Sequence, residues 1–185
     1  MKVLNKLTSA LAKLFEVCVF LAGIILLVVL GLLFFFKADV TAFILEGLKN
    51  GTVTISGISE EGLIQLINGN GIYVFGAFAF IACFLYGMIF RNVNLIMRTA
   101  VGKTKFSVGN TPFQEDVVRM VREIGIFSIS IPILQVILSV IATMNFGVTE
   151  ITPSLNGIFF GFVILCLSQY FAYGASLQEE VDGLI

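Results

Sequence analysis

The chain has 185 residues, 58% of them hydrophobic and only 12% charged, with a net charge of −1. Soluble domains carry about 25% charged residues, so at a mean hydropathy of +1.02 the excess apolar surface must face lipid. Histidine and tryptophan are absent, which removes the commonest general base and metal ligand, and a near-neutral balance gives no bulk attraction for nucleic acid.

The first element is a basic segment with Val3, Leu4, Leu7, Leu11 and Leu14 at helical spacing and Lys2, Lys6, Ser9 and Lys13 on other faces. Two forms fit this pattern: an amphipathic helix lying at the inner interface before the chain turns into the bilayer, or one continuous helix through Phe36. Leu14 to Phe36 is the first of four runs able to cross a bilayer, which takes about 20 apolar residues. No small-residue cleavage site follows it, so it reads as a retained span. Cys18, Cys83 and Cys166 each lie inside such runs without a Cys-x-x-Cys pair, and are expected to be buried apolar groups.

The connector from Lys37 to Asn70 far exceeds the roughly 12–15 residues beyond which structureless loops become uncommon. Residues 39–48 suit a short amphipathic helix, and 52–56 alternate like a strand. Ser59 is placed to cap a helix whose first turn holds Glu60 and Glu61. Asn50-Gly51-Thr52 matches a glycosylation triplet, a common chance occurrence.

The second span, residues 71–90, is expected to continue as helix to about Thr99, because Val93, Ile96 and Met97 keep helical spacing. Gly102 and Gly109 then permit turns. Thr111-Pro112-Phe113-Gln114 reads as a capping box with proline at the first helical position, followed by Glu115 and Asp116 at the positive end of the helix. Phe113, Val117, Met120, Val121 and Ile124 form one apolar stripe. This third helix is expected to stand about 15 Å proud of the membrane before its span at 124–144, and to pack on the extension of the second as a cytosolic hairpin. Its arginines could also hold anionic lipid.

The third span carries Ser128, Ser130, Pro132, Gln135, Ser139 and Thr143. The fourth, 155–176, opens with Gly157-x-x-x-Gly161 and carries Ser168 and Gln169. Small residues at that spacing let helices approach closely, and buried amides bond across the contact. Gln135 is expected near the midplane, and Pro132 is expected to kink the helix or loosen its hydrogen bonds. The same polar face could instead line a ligand cavity. The span interiors hold no Asp, Glu, Lys or Arg, Glu16 near the inner end being the nearest exception, which argues against ion-coupled transport. No nucleophile motif or phosphate loop is present, so neither enzymatic activity nor a cofactor or metal is expected. After the fourth span Glu179, Glu180 and Asp182 face the basic hairpin, with Arg119 or Arg122, or a basic cytosolic protein, as the expected partner.

Lys2, Lys6 and Lys13 precede the first span, and Arg91, Arg98, Lys103, Lys105, Arg119 and Arg122 lie between the second and third. The positive-inside rule therefore places both termini and the central loop in the cytoplasm. The fold expected is all-α: a single domain over 1–185, an integral-membrane four-helix bundle with a cytosolic hairpin and a long first outer loop.

Residues 110–125, "NTPFQEDVVRMVREIG", and 174–185, "GASLQEEVDGLI", together with the four spans, resemble the YoaS-like bacterial membrane proteins, a family defined as a domain of unknown function. This tail ends Asp182-Gly183-Leu184-Ile185, where the family more often has a threonine before its last aliphatic residue. The resemblance implies a bacterial inner-membrane location and a link to a helix-turn-helix regulator, since members are often encoded beside one. The expected function is a membrane-anchored regulatory or sensory subunit. Its partner-binding face would be Lys103, Lys105, Phe113, Arg119, Arg122, Glu179, Glu180 and Asp182. The alternatives are a small transporter, exporter component or immunity-type protein working through spans three and four, or a structural subunit of a larger complex. Glycine-spaced packing permits a homo-oligomer.

Overall fold

The computed structural model describes residues 2–36, 38, 42–43, 46–47, 50, 66, 69–107, 113–146 and 154–182. Four helices account for most of them: α1 Lys2–Phe35, α2 Gly71–Thr99, α3 Glu115–Phe146 and α4 Asn156–Asp182. Among the described residues there is no strand. The alternating segment 52–56 and the capping serine at 59 lie outside them. Ala42, Phe43, Glu46 and Gly47 have helical backbone, and the rest of the segment 39–48 lies outside the described residues.

All four helices are long and apolar enough to cross a membrane. Only 6% of the most apolar window of α1 is buried inside the protein, and 11%, 22% and 11% of those of α2, α3 and α4. Side chains such as Leu21, Ile25 and Phe162 are correspondingly exposed. Each Å² of apolar surface left in water forfeits about 25 cal/mol, so faces this extensive belong against lipid or another apolar surface.

Of the two forms open for the N-terminal segment, the structure has the continuous helix. Nothing in residues 2–35 stops it: there is no proline, and Gly23 and Gly31 are tolerated singly at modest cost. Helix α2 ends at Thr99, where the spacing placed it. Helix α3 departs from expectation. Phe113 and Gln114 precede the helix, and its first bond runs from the Val118 amide to the Gln114 carbonyl at 3.0 Å. Gln114 is thus the cap residue rather than the third helical position of a capping box. Thr111 and Pro112 lie outside the described residues. Glu115 and Asp116 still occupy the first turn, where the helix dipole favours carboxylates.

The chain forms two compact units. The first comprises Met1–Phe20, Phe84–Pro132 and Leu155–Ile185. Within it α1 and α2 run antiparallel. Phe15 stacks on Phe90 with centroids 5.3 Å apart, Phe20 meets Phe84 edge-on at 6.3 Å, and Ser9 Oγ donates to Asn94 Oδ1 at 2.8 Å. Of the stripe expected on α3, Val117 and Met120 are almost fully enclosed and Ile124 is buried, while Val121 is half-buried and Phe113 exposed. Asn92 Nδ2 donates to Glu123 Oε2 at 2.8 Å, tying α2 to α3.

The second unit comprises Leu21–Cys83 and Ile133–Ser154. Gly23 admits Phe80 and Cys83, and Gly76 admits Leu30. Its small core joins Leu66 and Ala142 with Ile72, Phe75 and Phe146.

Candidate functional site

The polar apparatus gathers in the first unit, where α2 ends and α3 begins. Gly102 has φ 72°, the only positive φ among the described residues. Its amide donates to the Thr99 carbonyl at 3.0 Å, and the Lys103 amide to the Arg98 carbonyl at 3.0 Å. These two bonds form a Schellman cap, which satisfies carbonyls otherwise left open at a helix end. Hydroxyls fix the following turn: Thr99 Oγ1 and Thr104 Oγ1 lie 2.8 Å apart, and Ser107 Oγ donates to the Thr99 carbonyl at 3.1 Å. Thr99 is fully buried. Next to this turn Phe106 lies under two cations, Lys105 at 5.1 Å and Arg119 at 6.0 Å from the ring centroid.

The chain just ahead of α3 meets the C-terminal part of α4 through aromatic packing. The Phe113 ring lies 5.9 Å from Phe171 and covers Gly174, where an added Cβ would meet Phe113 at 2.5 Å. Beyond that cover, Ala172, Ala175 and Ser176 supply little bulk, and a groove of about 330 Å³ opens between the helices. Glu115, Val118, Arg119 and Arg122 form its α3 wall and Glu179 stands on its α4 wall.

The charge pairing differs from expectation. Arg119 pairs within its own helix, with Asp116 at 3.1 Å and Glu123 at 3.7 Å, because i,i+3 and i,i+4 partners need no displacement of either helix. Among the described residues it pairs with none of the tail. Among the described residues Arg122 and Glu179 join no ion pair within 4 Å. Glu180 is exposed. Asp182 is the last residue of α4, and its side chain lies outside the described ones. Lys103 and Lys105 are exposed on the turn.

No protein-family model, curated protein or solved structure matches this chain. The three cysteines are free thiols, with Cys18 and Cys166 exposed on span faces rather than buried as expected. Among the described residues no cluster of acid or thiol side chains could hold a metal ion.

The polar face of α3 and α4 packs. A Cβ at Gly157 would lie 2.7 Å from Pro132 Cγ and 3.0 Å from the Ser128 carbonyl oxygen; one at Gly161 would lie 2.6 Å from Ile129 Cγ1 and 2.8 Å from the Gly125 carbonyl. Pro132 lies inside α3, which continues through it. Having no N–H, it leaves the Ser128 carbonyl without its helical donor, and that carbonyl faces Gly157. Gln135 is not bonded across the middle of a span: its Oε1 accepts from the Ser154 amide at 3.1 Å, just ahead of α4. Helix α3 then continues to Phe146, about 16 Å further on. Gln169 is exposed on α4.

Sequence reasoning passed over three contributors. Asn92 is buried and holds Glu123. The Thr99, Thr104 and Ser107 hydroxyls brace the turn. Asn94, also buried, bonds Ser9. The available signal was asparagine inside an otherwise apolar helical pattern, since a buried amide needs a partner.

Proposed function

We propose that the protein is a multi-pass membrane protein of the bacterial inner membrane, with both termini cytoplasmic, acting as a membrane-anchored regulatory subunit. It docks a soluble protein on the groove between the start of α3 and the end of α4. One observation supports this reading above the others: Arg122 and Glu179 stand on opposite walls of a groove with a small-residue floor, and neither has an ion-pair partner among the described residues. A helix carrying an acidic and a basic residue on one face would pair with both. Lys105 lies over the same Phe106 ring as Arg119, next to the α3 wall. The resemblance of residues 110–125 and 174–185 to YoaS-like proteins suggests a helix-turn-helix regulator as the partner.

Exposed arginines can be reversed in sign without loss of fold, because surface pairs contribute about 0–1 kcal/mol. Arg119→Glu combined with Arg122→Glu should therefore abolish partner retention in native membranes and change cellular output, while helical content and membrane insertion stay as in the wild type. Unchanged retention and output would dismiss the groove as a docking site.

A further inference from the structure

A second recess lies between α1 and α2 in the first unit, apart from the docking groove. It has a volume of about 610 Å³, within the range of small-molecule sites, and Lys6, Lys13, Arg98 and Lys103 stand around it with Ser9 and Asn94. Among the described residues no acidic one lines it. Lys13 is paired with Glu16 at 2.8 Å. Lys6, Arg98 and Lys103 have no ion pair among the described residues.

The fold forces these charges together. Schellman caps usually bring two apolar side chains into contact, at the third residue from the helix end and the second beyond the cap. Here those positions hold Arg98 and Lys103, joined through the Lys103 amide and the Arg98 carbonyl. The antiparallel register of α1 and α2 then places Lys6 and Lys13 opposite. Like charges that line one recess repel unless an anion lies between them. Asn94 Oδ1 is taken by Ser9, which leaves the Asn94 amide hydrogens as donors.

The depth of the recess identifies the anion. The apolar run of α1 begins just after Lys13, and that of α2 ends just before Arg91. The Phe15–Phe90 stack holds these boundaries level. Arg98 lies seven residues beyond Arg91, about 10 Å outward, and Lys6 the same distance beyond Lys13. A headgroup layer is about 5–8 Å deep on each side of the hydrocarbon, so the recess spans that layer. We infer that this α1–α2 recess binds the phosphate headgroup of an anionic phospholipid, with Lys6, Arg98 and Lys103 as its counter-ions. The inference rests on the membrane reading of the four helices and is independent of any docked protein.

The test titrates the purified full chain, in mild non-ionic detergent, with dioleoyl phosphatidylglycerol or dioleoyl phosphatidylcholine, reading bound lipid by native mass spectrometry. The wild type should prefer phosphatidylglycerol. Lys6→Gln, Arg98→Gln and Lys103→Gln together should weaken its binding about 100-fold, at roughly fivefold per basic residue lost near an anionic headgroup. All three side chains are exposed, and circular dichroism verifies that the helices persist. Arg119→Gln with Arg122→Gln, a charge change on the other groove, should leave the preference intact. The inference is overturned by equal binding of the two lipids, by an undiminished preference in the triple variant, or by equal loss in the Arg119/Arg122 variant, which would mean diffuse charge. Inorganic pyrophosphate binding with the same residue dependence, and no preference between lipids, would replace the lipid with a soluble phosphate.

Discussion

The Lys103 amide and the Arg98 carbonyl are joined by a 3.0 Å hydrogen bond that closes the end of α2. This bond requires the left-handed backbone of Gly102 between them. A residue with a Cβ is strained in that conformation by about 1–2 kcal/mol. Gly102→Ala should lower stability by about that amount in thermal unfolding of the purified protein, and Gly102→Asn by less. Equal stability of all three would show that the cap does not form.

The α3–α4 seam should be sensitive where its backbones touch and indifferent elsewhere. At Gly161 an added methyl would meet the Gly125 carbonyl at 2.8 Å, and backbone cannot move aside cheaply. Gly161→Ala should cost about 1–3 kcal/mol, as overpacking does. At Gly31 nothing lies within 4 Å. Gly31→Ala should be neutral, or stabilising by up to about 1 kcal/mol through helix propensity. A reversed order would contradict the packing described.

Asn92 and Glu123 should be coupled energetically. Hydrogen bonds to charged groups contribute about 1.5–3 kcal/mol, and the partial exposure of Glu123 moves the expectation to the lower end. A double-mutant cycle with Asn92→Ala and Glu123→Ala should give a coupling of about 1.5 kcal/mol in unfolding free energy. Additive effects would show that α2 and α3 are held by apolar contacts alone.

The topology has a direct chemical test. In a background with Cys18, Cys83 and Cys166 changed to alanine, Lys105→Cys and Ser176→Cys should resist a membrane-impermeant thiol reagent in intact cells. Asn50→Cys, which the proposed orientation puts on the opposite side of the membrane, should react. Labelling in the reverse pattern would invert the protein and move the docking groove out of the cytoplasm.

The helices were legible in the sequence because long apolar runs leave a chain few other forms, and the end of α2 was legible because Gly102 can take a conformation that most residues avoid. The start of α3 was misread. A threonine, a proline and a glutamine at capping spacing are a local signal, while Phe113 is held ahead of the helix by Phe171 and Gly174, more than fifty residues away. Arg119 was given the acidic tail as a partner although Asp116 and Glu123 were available on its own helix. Gln135 was placed by counting along one span, but its partner Ser154 belongs to the next connection. The basic recess was invisible for a similar reason. Lys6 and Lys13 stand far in sequence from Arg98 and Lys103, and only the register of α1 on α2 brings them together.

The central claim is that Arg122 and Glu179 form one docking face for a soluble protein. Photo-crosslinking residues placed beside them on the groove, at Glu115 and Ser176, test it most directly in native membranes, with Val163 on a span as control. The same DNA-binding protein should be captured from both positions, not from Val163, and capture from position 176 should vanish when Arg119→Glu and Arg122→Glu are added. Crosslinks to lipid or to the chain itself alone, from both positions, would contradict the account.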